Sequence, residues 1–460
     1  MFGWFRPSCP VDLQDKVWVE QRLQWLFERF DDRRILEAPR VLPTREFFPE
    51  PYAGTADDLP ALFARVCQYM GADASRFQLK LFTREDRKDA LGLYHQPRGE
   101  LPHIWLLRSL LPDQEAVVAT LAHEVAHDLL LGAGLVSGDE PDHEHLTDLL
   151  PVVLGMGTFH ANTAIKESKE SMETGTFWQI RRSGYITAAL SGYAMGVIEY
   201  LRHRKSAPSV AYLKIDAVHA MRAGHKYLMK TNDCLLDPKR PSATLARLTS
   251  EPLDFGGGAP SRCLYVLNTW WDDEAVKPPQ VEAALAALRH KEIAVQTAAI
   301  DLLAKVQPVP ERVVDAVLLG LLSPHHSVRE RAAVAAGAFK LPYDFLAKDR
   351  EPLSELLLSL LEDRDTKAAL AAAVVLASHG PEAIGAAPAI LQRLATELVR
   401  HSEFFDPLID CLQRIVGNVK QYLEENPDLL PEGQDELIHD QLRARRRGRS
   451  HTNGPREAMM

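Results

Sequence analysis

The sequence predicts a mainly α protein with a small β-sheet in its N-terminal half, followed by an all-α helical solenoid. Three observations carry this. Apolar residues recurring three and four positions apart, the helical period, run through most of the 460 residues. That pattern is interrupted between Phe77 and Leu107 by short segments of strand character. From about residue 278 the chain becomes rich in Ala and Leu and begins to repeat.

Residues 11 to about 31 place Val17, Leu23, Leu26 and Phe27 on one helical face. A connector with Pro39, Pro43, Pro49 and Pro51 follows, then a second amphipathic helix from Ala56 to Met70. From Phe77 to Phe82 the period changes to apolar–polar alternation, the mark of a half-buried strand. Further short strands fit Gly92 to Tyr94 and Ile104 to Leu107, on either side of a turn with Pro97 and Gly99. A helical pattern then runs from Glu115 to about Leu131 and stops near Gly132 and Gly134. Residues 176 to 230 read as helical, over Ile186 to Arg204 and Ser209 to Met229. Residues 231–277, with Pro238, Pro241 and Gly256 to Gly258, read as an irregular linker.

Beyond the linker, residues 289–306, 323–339 and 362–380 align on Val295, Val328 and Thr366, at spacings of 33 and 38 residues. Stacked helix pairs have this period, each repeat burying its apolar face on its neighbours. A turn, a small β-branched residue and an Ala-rich second helix make these segments resemble HEAT repeats, which implies a protein-binding arm over residues 278–440. The predicted organisation is therefore a catalytic domain over 1–230, the linker, the repeats, and a basic tail over 441–460. Arg443, Arg445, Arg446, Arg447, Arg449 and Arg456 crowd that tail. A solvated tail is the ordinary reading of such a run.

Composition narrows the function classes. Hydrophobic residues make up 46% and charged residues 25%, as in an ordinary globular protein. Cys9, Cys67, Cys234, Cys263 and Cys411 are odd in number and never form CxxC, which argues against a disulfide framework and against a cysteine-ligated zinc knuckle. A net charge of −10 argues against nucleic acid as partner. No apolar window is long enough for a bilayer span, and the first residues lack the apolar core of a signal peptide, so a cytoplasmic protein without a membrane partner is expected.

The chemistry concentrates at Thr120 to His127, which contains His-Glu-x-x-His. Helical residues four apart share a face, so His123 and His127 can aim both imidazoles at one ion, and Glu124 can reach a water beside it. Two imidazoles and a base suit Zn²⁺. A catalytic zinc site usually needs a third protein ligand. The acidic segment Gly138 to Asp148 offers Glu144 and Asp148 four apart on one face, with Glu140, His143 and His145 close by.

His123-Glu124-x-x-His127 followed by Glu144-x-x-x-Asp148 resembles the gluzincin class of zinc peptidases. The metzincin pattern fails, because position 130 is Leu rather than Gly. The resemblance implies a zincin-like domain with His123, His127 and Glu144 as zinc ligands. It also implies that Asp148 orients a ligand histidine and that Glu124 is the general base for a zinc-activated water. By analogy, Ile104 to Leu107 takes the place of the edge strand lining a cleft for a peptide or protein substrate. Tyr185, Tyr193 and His225 are of the right type to donate to an oxyanion, although each residue type is more often packed or exposed. A competing expectation is a non-catalytic repeat scaffold in which zinc is structural or the site degenerate.

Overall fold

A computed structural model of the chain describes residues 8–83, 91–163, 165–172, 175–182, 186–203, 211–242, 245–346, 351–400, 402–430, 434 and 437–443. They divide into two compact units, Met1–Glu251 and Pro252–Met460. Among them no helix is long and apolar enough to cross a membrane.

In the first unit, α1 (Leu13–Phe30) starts where the Asp12 carboxylate accepts the Asp15 N–H at 2.8 Å, an N-cap bond. Its buried face carries Val19, Leu23, Leu26 and Phe27 into the main core, together with Ile35 from α2 (Asp32–Glu37) and Phe63 and Val66 from α3 (Leu59–Met70). Three strands follow, β1 (Gln78–Phe82), β2 (Gly92–His95) and β3 (His103–Leu107). Their order is β1-β3-β2, with β3 parallel to β1 and antiparallel to β2 in the register Gly92 to Leu106 and Tyr94 to Ile104. Segment Ile104–Leu107, expected at an edge, is thus the central strand with both sides paired. The parallel β1–β3 pairing puts β2 outside, and local sequence pattern does not encode that order.

The sheet and α3 pack on α4 (Gln114–His127), which is followed by a π-helical turn over 128–132. Next come α5 (His143–Pro151) and α6 (Gly157–Thr163), both against α4. Strands β4 (Ile165–Met172) and β5 (Gly175–Arg182) form an antiparallel hairpin, so the helical reading from residue 176 is corrected there. Helices α7 (Ala188–Leu201) and α8 (Ile215–Thr231) then pack side by side. A Cβ on Gly192 would lie 2.4 Å from Ala217 O, and one on Gly196 2.6 Å from Met221 O, so only glycine permits this approach.

A buried polar knot closes this unit. The fully buried Lys16 ammonium donates to Glu20 Oε1 at 2.7 Å and to the Asp233 carbonyl at 2.6 Å. Tyr193 Oη donates to the same Glu20 oxygen at 2.7 Å, and the Leu235 N–H donates to the other at 2.9 Å. Burying a charge is costly unless it is paired and hydrogen-bonded, and here each ion is both.

The second unit has no strand longer than an isolated bridge among its described residues. A helix, α9 (Pro260–Trp271), occupies part of the segment expected to be an irregular linker. Helices α10 (Pro278–Ala287) to α17 (Phe405–Val416) pack as successive pairs: α10 with α11 (Ile293–Leu303), α12 (Glu311–Gly320) with α13 (His326–Ala338), α14 (Leu353–Leu361) with α15 (Thr366–Ser378), and α16 (Ala387–Val399) with α17. The second members stack in turn, α11 on α13, α13 on α15 and α15 on α17. Buried Ala332, Ala333, Ala335 and Ala336 on α13 face this stack with Ala368, Ala369, Ala372 and Ala373 on α15, small side chains that let helix axes come close. A further short helix, α18 (Val419–Glu425), packs on α17. Of the basic tail, residues 444–460 lie outside the described residues.

Candidate metal centre

Helix α4 begins at Asp113, whose carboxylate accepts the Ala116 N–H at 3.0 Å. Its core-facing positions, Val117, Val118, Leu121 and Val125, bury it on the apolar centre. That packing turns Thr120, His123, Glu124 and His127 toward the sheet and α5. The two imidazoles meet edge to face, with ring centroids 4.8 Å apart.

Glu144, in the first turn of α5, completes a cluster. One donor atom from each of His123, His127 and Glu144 lies within 4.8 Å of the others. Glu144 Oε2 stands 3.5 Å from Nε2 of His123 and 3.5 Å from Nε2 of His127. Ligands about 2.0–2.1 Å from a tetrahedral ion stand roughly 3.3 Å apart, so these two separations suit the edges of such a site. Glu144 Oε2, His127 Nδ1 and Glu124 Oε2 are buried and have no hydrogen-bond partner among the described residues. Buried polar atoms are seldom left so. The donor set fits a zinc ion.

Asp148, one turn after Glu144 and fully buried, lies 2.8 Å from His123 Nδ1 through Oδ1 and accepts the Ile186 N–H at 3.0 Å through Oδ2. Such a carboxylate fixes the tautomer of a liganding imidazole. His160, on α6, adds a second imidazole 3.4 Å from Asp148 Oδ1.

Of the other acidic-segment candidates, Glu140 and His145 are turned elsewhere, while His143 borders the cluster. Glu140 accepts the Ser137 N–H at 3.2 Å and stands 3.8 Å from Arg22. His145 packs edge-on against Trp18, with centroids 5.9 Å apart. His143 holds the Glu140 carbonyl at 2.9 Å through Nδ1 and faces the outer oxygen of Glu144 at 3.3 Å. Tyr193 is committed to Glu20 in the buried knot, and His225 lies on α8, which packs on α7. Tyr185 lies outside the described residues.

The electrostatics follow from crowding. Burial opposes protonation of His123, but the Asp148 carboxylate on one nitrogen and the Glu144 carboxylate facing the other push it up to about 10. Burial and the neighbouring His123 push His127 down to about 4. Asp148 is held well below the carboxylate range because the imidazoles of His160 and His123 outweigh its burial. Burial pushes Glu124 up to about 7, with partial opposition from His123.

Compared with known protein families, with curated proteins and with solved structures, the chain matches none. The residues themselves therefore carry the functional reading.

Three residues beside the cluster were not singled out in the sequence. Gly92 on β2 brings the strand so close to α4 that a Cβ there would lie 2.3 Å from Glu124 Oε1. The Tyr94 ring stacks on His127 at 6.1 Å and 21°, and the Tyr94 backbone favours the charged form of Glu124. His160 reaches Asp148 from the next helix. Only the glycine left a trace in the sequence, as an unusual residue to open a strand.

Proposed function

We propose that this chain is a zinc-dependent hydrolase, most specifically a metallopeptidase of the gluzincin type, acting on a peptide or protein substrate. The observation that carries the reading is the convergence of donor atoms from His123, His127 and Glu144 beside the buried carboxylate of Glu124. In this reading His123, His127 and Glu144 hold the ion. When bound, Zn²⁺ supplies a Lewis acid that polarises a carbonyl and makes a coordinated water acidic.

The chain's own residues do the rest. Asp148 keeps the His123 ring in the tautomer that presents Nε2. Glu124, raised to about 7 by burial, takes the water proton and returns it to the leaving amine. β2 is the sheet edge on this side, and its backbone offers pairing groups to an extended chain. In the second unit, the paired and stacked helices support a HEAT-like solenoid that serves as a protein-binding arm.

The test is Glu124→Gln. Elemental analysis should find one zinc per chain in both wild type and variant, while hydrolysis of a quenched-fluorescent peptide library falls by about 10²–10⁴-fold in the variant. Undiminished hydrolysis would remove Glu124 from the role of base. Zinc bound by a wild type that cleaves nothing would favour a structural site on a scaffold.

A further inference from the structure

The two candidate liganding histidines are supported unequally. His123 has a carboxylate on its second nitrogen, whereas His127 Nδ1 has no hydrogen-bond partner among the described residues. A liganding imidazole almost always has its ring plane fixed through that second nitrogen. Something else must hold His127.

We propose that Tyr94 is a positioning residue that fixes His127 and Glu124 together, with Asp128 as its anchor; this rests on the zinc reading above. The phenol ring lies nearly parallel to the His127 imidazole, at an interplanar angle of 21° and a centroid separation of 6.1 Å. The strand that carries it lies so close to α4 that a Cβ on Gly92, two residues away, would stand 2.3 Å from Glu124 Oε1, and the Tyr94 backbone favours the charged form of that carboxylate. The edge strand around Tyr94 thus sets the plane of a ligand and the position of the base.

The phenol is itself tethered. Its hydroxyl stands 2.8 Å from Gln96 Oε1 and 3.1 Å from Asp128 Oδ1, and Asp128 is the buried residue that follows His127 in the chain. The π-helical turn brings Gly132 over this contact, where a Cβ would lie 2.6 Å from Tyr94 Oη and 2.8 Å from Asp128 Oδ1. Rotation of Tyr94 is blocked by its tether and by the backbone closing over it. Since Asp128 and His127 are adjacent on one helix, the tether holds the stacked pair in a closed loop of contacts.

The test measures cobalt binding to the full chain, because Co²⁺ reports ligand geometry through its visible spectrum independently of turnover. Tyr94→Ala should weaken Co²⁺ binding by about 10–100-fold and alter the visible bands, with the smaller Tyr94→Phe loss matched by Asp128→Ala. Asp128→Asn, which can still accept the phenol proton, should restore the wild-type affinity and spectrum. Circular dichroism of each variant identifies those that fold, and Tyr94→Phe carries the test if Tyr94→Ala does not. Wild-type affinity and bands in Tyr94→Ala, or in Tyr94→Phe where that variant carries the test, would overturn the positioning role. Wild-type behaviour in Tyr94→Phe and Asp128→Ala beside a weakened Tyr94→Ala would overturn the anchor. A wild type that binds no stoichiometric Co²⁺ or Zn²⁺ would overturn the zinc reading itself, and this proposal with it.

Discussion

A single methyl group on Gly92 would be driven into the carboxylate of Glu124. The Cβ of Gly92→Ala would lie 2.3 Å from Glu124 Oε1 and 2.6 Å from Thr120 Cγ2, whereas real Cβ atoms essentially never come within 3.0 Å of a neighbour. Glu124 must therefore retreat by about 0.7 Å, more than the roughly 0.5 Å a catalytic constellation tolerates. Overpacking of this kind costs about 1–3 kcal/mol. We expect urea unfolding to show a loss of about 2 kcal/mol. Peptide hydrolysis should fall about 10²-fold, while zinc content stays at wild type because the atoms nearest the methyl group belong to Glu124 and Thr120 rather than to a candidate ligand. Gly138→Ala is the control, since its Cβ has nothing within 4 Å. A folded Gly92→Ala protein with undiminished hydrolysis would refute the claim that β2 holds the base in place.

Two further outcomes follow from the same geometry. Asp148→Asn keeps the shape of the buried side chain but removes the charge facing His123 and His160, so zinc affinity in a chelator competition should drop about 10–100-fold; an unchanged affinity would argue against its orienting role. Asp142 is half-buried, which would raise its carboxyl, yet hydrogen bonds from Arg22 at 2.6 and 2.7 Å and from Trp18 at 2.8 Å hold it below its ordinary range. A depressed carboxyl stabilises the fold fully above its ordinary value and loses that contribution as pH falls from there through its depressed folded-state value. The gap between urea melts of wild type and Asp142→Asn should therefore be full at pH 6 and narrow progressively as pH falls below the ordinary carboxyl value of 3.8, and a pH-independent gap would contradict the assignment.

What was legible in the sequence had local spacing behind it. His123 and His127, and Glu144 and Asp148, are pairs four residues apart, so the helical period alone puts each pair on one face. The helices of the second unit were legible for the same reason, because buried alanines recur with the helical period on α13 and α15. Long-range pairing was not legible. The order β1-β3-β2 depends on which strand β3 chooses on each side, and Tyr94 meets Asp128 across 34 residues. Helix α9 escaped because Pro238, Pro241 and the triplet Gly256 to Gly258 coloured the whole segment as irregular, yet the helix starts only after them, at Pro260, where a missing N–H is no loss. The β4–β5 hairpin likewise follows a helix with no Asn-Gly or Asp-Gly turn to announce it.

The knot around Lys16 also bears on how this unit matures. Its ammonium bonds to a carbonyl 217 residues later, and the carboxylate beside it waits for an amide 215 residues away. During synthesis both charges on α1 emerge before their last partners have been made. The same helix carries Trp18 and Arg22, which brace the start of α5 through Asp142. The candidate metal centre therefore gains its outer support only once a segment 215 residues beyond α1 has been made, and cation capture should trail the synthesis of the liganding helices rather than accompany it.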